Sequence, residues 1–351
     1  MMRASPFSYF APITIGEVAK ILAGEGPRAL LLAGGTDLIP NMKRRTQTPA
    51  VLVSLRRVAE LRGLANGRIG SAMTLSSIAE SPHLSPHRAL IRAAAQVATP
   101  HIRNAATLGG NLCLDTRCNY YNQNYEWRQA IDFCMKRASD GGGHPVRNED
   151  GVCWVAPGSP RCWAVSSSDT APALIALGAT VTLVSIAGRR ELPLNDLYCD
   201  DGIAYLTKPS DELLTEVVLP DATGWRSTYW KLRRREAFDF PVLSVAAAVK
   251  LASDGTVLDA RLVLGAVASH PLLIAEAQEL VGMPLSDDAI ERLAAAAARF
   301  AKPLDNTDFA LGWRKRVARA YVTGALRELR GDDPATLGLL ARRATALRPL
   351  S

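Results

Sequence analysis

The stretch Leu32-Ala33-Gly34-Gly35-Thr36-Asp37-Leu38 follows the apolar run Ala29-Leu30-Leu31-Leu32-Ala33. The run reads as a buried strand, and the paired glycines read as the turn that ends it. Such a turn is either an ordinary strand end or a cradle. In a cradle several backbone N–H groups converge on a pyrophosphate, and the missing Cβ atoms permit close approach. A second glycine pair stands at Thr107-Leu108-Gly109-Gly110-Asn111, after Thr99-Pro100-His101-Ile102-Arg103-Asn104. Two loops rich in uncharged donors can hold the two ends of a dinucleotide, and together they favour a nucleotide cofactor.

Working outward, Thr14-x-x-Glu17 is a capping box before Val18, Ile21 and Leu22, with Gly24 as the expected stop. Val51–Val53 and Arg68–Gly70 read as strands, and Ser85–Thr99 as a helix closed by Pro100. A helix is expected over Ala171–Leu177, capped by Asp169 or Thr170, then strands at Thr180–Ile186 and Leu213–Leu219. From about Arg226 come strands at Ser227–Arg233, Val242–Leu251 and Leu258–Val267. Helices near Pro271–Leu280, Asp287–Phe300 and Asp308–Leu329 follow. Strands in series followed by helices predict an α+β layer.

Composition bounds the function. The chain has 351 residues, 48% apolar and 21% charged, which is globular rather than disordered or fibrous. The net charge of +7 suits an acidic protein, nucleic acid or a membrane face without choosing among them. The longest apolar stretch, Ala173–Gly188, is interrupted by Gly178, Thr180, Thr182 and Ser185 and is too short for a membrane span. Met1–Pro6 has no apolar signal core, so a cytoplasmic, soluble protein is expected. There is no G-x-x-x-x-G-K-[ST], no H-E-x-x-H and no G-x-S-x-G. The nominal G-x-G-x-x-A at Gly24, Gly26 and Ala29 precedes its strand and contains Pro27, so it is not a dinucleotide fingerprint.

Cysteine is unevenly placed. Of six, Cys113, Cys118, Cys134, Cys153 and Cys162 fall within 50 residues, and Cys199 stands apart. The same region, 113–166, holds seven of the 21 aromatic residues and the run Gly141-Gly142-Gly143. In a chain without a signal peptide, a metal or cluster site is favoured over disulfides or scattered buried thiols. Residues 113–166 therefore read as an insertion organised around a cofactor.

The ordered set A-G-G-T-D-L, Met42-Lys43, T-P-x-I-R-N-x-x-T-x-G-G-N, Ser168–Leu174, Glu212-Leu213-Leu214 and Tyr229-Trp230-Lys231 resembles the FAD-binding subunit of the molybdenum hydroxylases. The resemblance runs from about Pro6 to Leu329. It implies an α+β chain with a two-part FAD-binding α/β region of the PCMH type over 1–222. A C-terminal antiparallel sheet with helices, like that of the CO dehydrogenase flavoprotein, would occupy 223–330, leaving a tail at 331–351. It also implies that FAD is contacted by Leu32, Ala33, Gly34, Gly35, Thr36, Asp37 and Leu38, and by Thr107, Gly109, Gly110, Asn111 and Asn119. Asp169 would reach sugar or ribityl hydroxyls, Leu214 would pack on the ring system, and Lys231 would approach it.

Between Asn111 and Ser168 the sequence is similar to one branch, the β subunit of 4-hydroxybenzoyl-CoA reductase, through Cys113-Leu114-Asp115-Thr116-Arg117-Cys118, Tyr120-Tyr121 and Trp127–Ala130. That likeness implies a 4Fe–4S cluster on Cys118, Cys134, Cys153 and Cys162, with Cys113 on the flavin side; Cys199, apart from them, reads as a buried or free thiol. The ligand spacings of 16, 19 and 9 residues need a long loop and contain no compact zinc-ribbon pair. A zinc site, with His144 as a ligand, is the alternative.

The resemblance further implies partners: a molybdopterin subunit, a 2Fe–2S subunit and ferredoxin as donor, in a dimer of heterotrimers. No catalysis would occur on this chain, and neither nucleic acid nor membrane would be bound. Electrons would reach an aromatic acyl-CoA. The rivals are an oxidising relative that feeds NAD or another acceptor, and a zinc-stabilised basic nucleic-acid-binding protein.

Overall fold

The computed structural model describes residues 3–139, 141–235 and 237–337, so the expected tail lies beyond them from 338 onward. The N-terminal part runs β1 (Ser8–Phe10), α1 (Ile15–Glu25), β2 (Ala29–Leu32), α2 (Leu38–Lys43) and β3 (Val51–Ser54). It continues through β4 (Leu64–Ala65), β5 (Arg68–Gly70), α3 (Leu75–Ala79), α4 (Arg88–Ala95), α5 (Pro100–Arg103) and α6 (Leu108–Leu112). Strands β1, β3 and β2 form a parallel sheet in that order. Thr14 caps α1 by accepting from the Glu17 amide, as the capping box requires. The helix passes Gly24 and ends at Gly26, whose φ of 53° breaks it.

The insertion carries α7 (Tyr125–Ala130) and a hairpin of β6 (Lys136–Arg137) and β7 (Val146–Arg147). Next come α8 (Thr170–Ala176), β8 (Thr180–Ser185), β9 (Gly188–Pro193) and β10 (Leu213–Val218). With β4 and β5 these strands make an antiparallel sheet ordered β4-β5-β10-β8-β9. The C-terminal part has β11 (Trp225–Leu232), β12 (Leu243–Leu251), β13 (Val257–Gly265), β14 (Leu272–Leu273), α9 (Asp287–Phe300) and α10 (Leu311–Arg330).

Strands β11 to β14 form one antiparallel sheet in sequence order. Val245, Ala247 and Val249 face the core shared with α9 and α10, while Ala246 and Ala248 face the core that contains α4 and α8. Covered on both sides, β12 reads as an unbroken apolar run rather than an alternating one.

Three expected elements are corrected. The helix expected over Ser85–Thr99 shrinks to Arg88–Ala95: Ser85 still closes the 3-10 segment Pro82–Leu84, and Ala98, with a φ of 40°, bars extension to Thr99. Pro100 then opens the short α5, capped by Thr99. The helix expected near Pro271–Leu280 is instead β14 and one 3-10 segment, Ala275–Leu280. The helix expected from Asp308 starts at Leu311.

Candidate functional site

Where the three sheets meet, a cavity of about 580 Å³ opens between the β2–α2 turn, α6, β10 and the insertion. That is within the ~300–1,000 Å³ of typical ligand pockets. Of the residues expected at the cofactor, Ala33 to Leu38, Thr107, Gly109, Gly110, Asn111, Asn119, Asp169 and Leu214 line it. Leu32 packs beside Leu30 and Met42 instead. Lys231 is not in the wall either. It is buried behind it, donating to Asp169 Oδ2 at 2.9 Å and to the Gln96 carbonyl at 3.0 Å.

The two glycine loops differ in what they offer. The amides of Gly34, Gly35, Thr36 and Asp37 donate to no acceptor among the described residues. Four successive open amides are a nest suited to an anion. Gly35 holds a φ of +70°, which a side chain rarely adopts, whereas Gly34 is glycine because a Cβ would strike the Ala105 carbonyl. In the second loop the amides are already engaged. Gly109 donates to Ser71 at 2.8 Å, and Gly110 donates to the Thr107 hydroxyl at 3.2 Å. Asn111 Oδ1 accepts from Ser168 Oγ at 2.8 Å and from Thr170 Oγ1 at 2.7 Å. The second loop is thus a wall and a clamp rather than a second set of free donors.

Asp169 stands at the start of α8 without capping it. Its carboxylate accepts from Tyr229 Oη at 2.6 Å and from Lys231. Burial pushes this carboxyl up and the Lys231 ammonium down, against their mutual attraction.

Sequence reasoning missed part of the wall. Arg117 binds Asp37 and Asn41 Oδ1 and lies 4.7 Å over the Phe240 ring. Burial pulls its guanidinium down to about 10. Lys208 points its ammonium at the Glu212 carbonyl, 2.6 Å away, and burial lowers it too. Phe238 and Phe240, both exposed, stand at the mouth, and Phe238 has a φ of 74°. The only signal for them was two aromatics beside Pro241 in a loop between strands. Five buried polar atoms of the wall have no hydrogen-bond partner among the described residues: Asp115 Oδ2, Arg117 Nε, Asn122 Nδ2, Asn306 Oδ1 and Thr307 Oγ1. Size and the open amides of the first loop together fit a dinucleotide.

Beside this wall the insertion folds onto itself. Arg117 and Val165 exchange backbone hydrogen bonds of 2.8 Å and close its base. Cys118, Cys134, Cys153 and Cys162, each 6–9% exposed, share one core with Tyr121 and Met135. Burial pushes the Cys118 thiol up to about 12 and the Cys162 thiol up to about 11, and Cys134 moves the same way. The Ala164 amide donates to Cys162 Sγ at 3.5 Å, and backbone hydrogen bonds from Tyr120 and Tyr121 act on Cys118.

The long Cys134–Cys153 spacer is the β6–β7 hairpin. Its tip rests on the first sheet, where Thr48 Oγ1 donates to Ser139 and Gly143 donates to Pro27, both at 2.6 Å. Cys113 lines the cavity instead of the cysteine core, and Cys199 belongs to neither. His144 also lines the cavity. Among the described residues no group of three or more His, Cys, Asp or Glu is disposed to hold a single metal ion.

Residues 5–222 match the model of the FAD binding domain in molybdopterin dehydrogenase, and 227–329 match the CO dehydrogenase flavoprotein C-terminal domain. The chain belongs to this FAD-binding family. It is 31% identical over 275 residues to the Escherichia coli K12 aldehyde oxidoreductase FAD-binding subunit PaoB, covering 76% of this chain and 82% of that one. The Eubacterium barkeri nicotinate dehydrogenase FAD-subunit is 29% identical over 296 residues, 81% and 83% of the two chains. A carbon monoxide dehydrogenase structure from Hydrogenophaga pseudoflava superposes with a TM-score of 0.73 at 25% identity, covering 93% of this chain and 98% of that one. The fold is therefore that of a molybdenum hydroxylase FAD subunit: mixed helix and strand, with an N-terminal FAD-binding part and the flavoprotein C-terminal layer. No helix among the described residues is long and apolar enough to cross a membrane.

Proposed function

We propose that this chain is an electron-transfer subunit that holds FAD in the central cavity and a 4Fe–4S cluster on Cys118, Cys134, Cys153 and Cys162. One observation carries the reading: Cys118 belongs both to the cavity wall and to the four-cysteine core, so the two centres would be neighbours. Bound flavin exchanges one or two electrons and can connect single-electron carriers to a two-electron site. The residues of this chain bind and insulate. The open amides from Gly34 to Asp37 would take the pyrophosphate, and Leu214 would pack against the ring system. Tyr121, Trp163 and Met135 would keep water from the thiolates, which a cluster needs for stability and tuning.

Residues 1–222 would be the flavin unit and 223–330 the layer that backs it. The partners would be a molybdopterin subunit and a 2Fe–2S subunit, in a dimer of heterotrimers in the cytoplasm. Similarity of the cysteine loop supports reduction of an aromatic acyl-CoA, with ferredoxin feeding the cluster. The likeness to subunits named for an aldehyde oxidoreductase and a nicotinate dehydrogenase supports a second reading, an oxidising complex with outward flow.

Iron, acid-labile sulfide, zinc and flavin analysis of the purified complex tests the shared core of both readings. The wild-type complex should carry FAD and about four more irons than a Cys118→Ser complex. Equal iron in the two, or zinc in place of iron, would remove the cluster.

A further inference from the structure

Between the cysteine core and the flavin cavity lies a buried ion pair that neither cofactor's binding explains. Lys136, on β6 and 1% exposed, donates to Asp115 Oδ1 at 2.6 Å and to Thr116 Oγ1 at 2.7 Å. Its ammonium lies 4.6 Å from the centre of the Tyr121 ring. Its carbonyl lies 3.2 Å from Cys134 Sγ, which sets its backbone against the cysteine core. Asp115, 3% exposed, is also one of the residues that line the flavin cavity, and its second oxygen is buried without a hydrogen-bond partner among the described residues.

A buried ion pair is a poor way to stabilise a fold, because desolvation offsets most of the attraction and apolar residues would pack as well. What it does supply is fixed charge in a medium of low dielectric, where charges act strongly over a few ångströms.

We propose that Lys136 is a positioning residue whose fixed charge raises the reduction potential of the cluster, with Asp115 as the counter-charge on the flavin side. This rests on the cluster reading above. A reduced cluster carries one more negative charge than an oxidised one, so a nearby ammonium favours the reduced form, and removing it favours the oxidised one. Asp115 opposes an added electron on the flavin side. The pair therefore biases a shared electron toward the cluster.

The test is an EPR-monitored redox titration of the intact complex with dithionite and mediators, with iron and sulfide counted in the same samples. Lys136→Met should move the cluster's reduction equilibrium about tenfold toward the oxidised form, about 59 mV for one electron. Asp115→Asn, which keeps shape and hydrogen bonding, should move it about as far the other way. Opposite shifts at full iron content support the proposal, whereas a loosened structure would move both variants alike. No shift in either variant, or shifts of one sign, with iron intact, would overturn it and leave the cluster reading standing. If Lys136→Met fails to hold iron, Asp115→Asn decides alone: a raised potential supports the proposal and an unchanged one rejects it. A wild-type complex with no 4Fe–4S signal is the separate failure, that of the cluster reading, and this proposal falls with it.

Discussion

Asp169 and Lys231 show how far single residues can be read. Their motifs, Ser168–Leu174 and Tyr229-Trp230-Lys231, place them near the flavin, yet the structure pairs them with each other in a buried network. Asp169→Asn would leave the Lys231 ammonium uncompensated and should cost about 3–5 kcal/mol. The double variant Asp169→Leu/Lys231→Met should recover most of that in urea unfolding. If Asp169→Asn instead expels FAD while the apo-protein keeps its stability, the carboxylate is a cofactor ligand after all. The glycines divide in a similar way, since spacing alone cannot separate a glycine needed for a ligand from one needed for packing. Gly34→Ala would drive a Cβ into the Ala105 carbonyl oxygen, so it should destabilise by about 1–3 kcal/mol even without flavin. An apo-protein that unfolds at the wild-type urea concentration would return Gly34 to the cofactor.

The elements were legible where their signals were local. Thr14-x-x-Glu17 marked the start of α1, and Asp287–Phe300 kept its expected bounds because Ser286 caps it and its apolar stripe is regular. The misreadings came where tertiary context sets the backbone, as at Ala98, or where a short apolar run such as Leu272–Leu273 adds an edge strand to a neighbouring sheet. The path of the insertion was illegible because its supports are distant in sequence. The β6–β7 tip leans on Thr48 and Pro27, and Arg128 donates to the carbonyls of Arg44 and Arg45 at 2.8 and 2.9 Å. If this element exists to hold a cluster, serine at Cys118, Cys134, Cys153 or Cys162 should lower iron content and bleach the brown absorbance of the complex. Serine at Cys199, outside the core, should leave both at wild-type levels. Iron lost at Cys113 and retained at Cys118 would shift the ligand set by one cysteine.

At the scale of the molecule, the middle of the C-terminal sheet, around β12, is buried on both faces, so it binds the flavin part and the C-terminal helices into one framework. The insertion sits against that framework with Cys118 in the cavity wall. A cluster so placed suits exchange of single electrons with a carrier protein, whereas hydride transfer needs a nicotinamide against the flavin and no cluster at all. The expected outcome is that reduced ferredoxin or a reduced low-potential viologen reduces the intact complex, while NADH does not. Stopped-flow absorbance of the flavin would measure both. The net charge of +7 adds a second expectation. If an acidic carrier docks on this surface, its rate should fall steeply with ionic strength, whereas the rate with a small cationic viologen should not. Cluster type leaves the direction of flow open, since potentials span about −700 to +450 mV. Direction is therefore decided by turnover: an aromatic acyl-CoA consumed with reduced carrier supports inward flow, and an aldehyde or N-heterocycle oxidised with oxidised carrier supports outward flow. Rapid reduction of the flavin by NADH, with the cluster still oxidised, would instead make the chain an NAD-linked subunit whose cysteine core lies off the electron path.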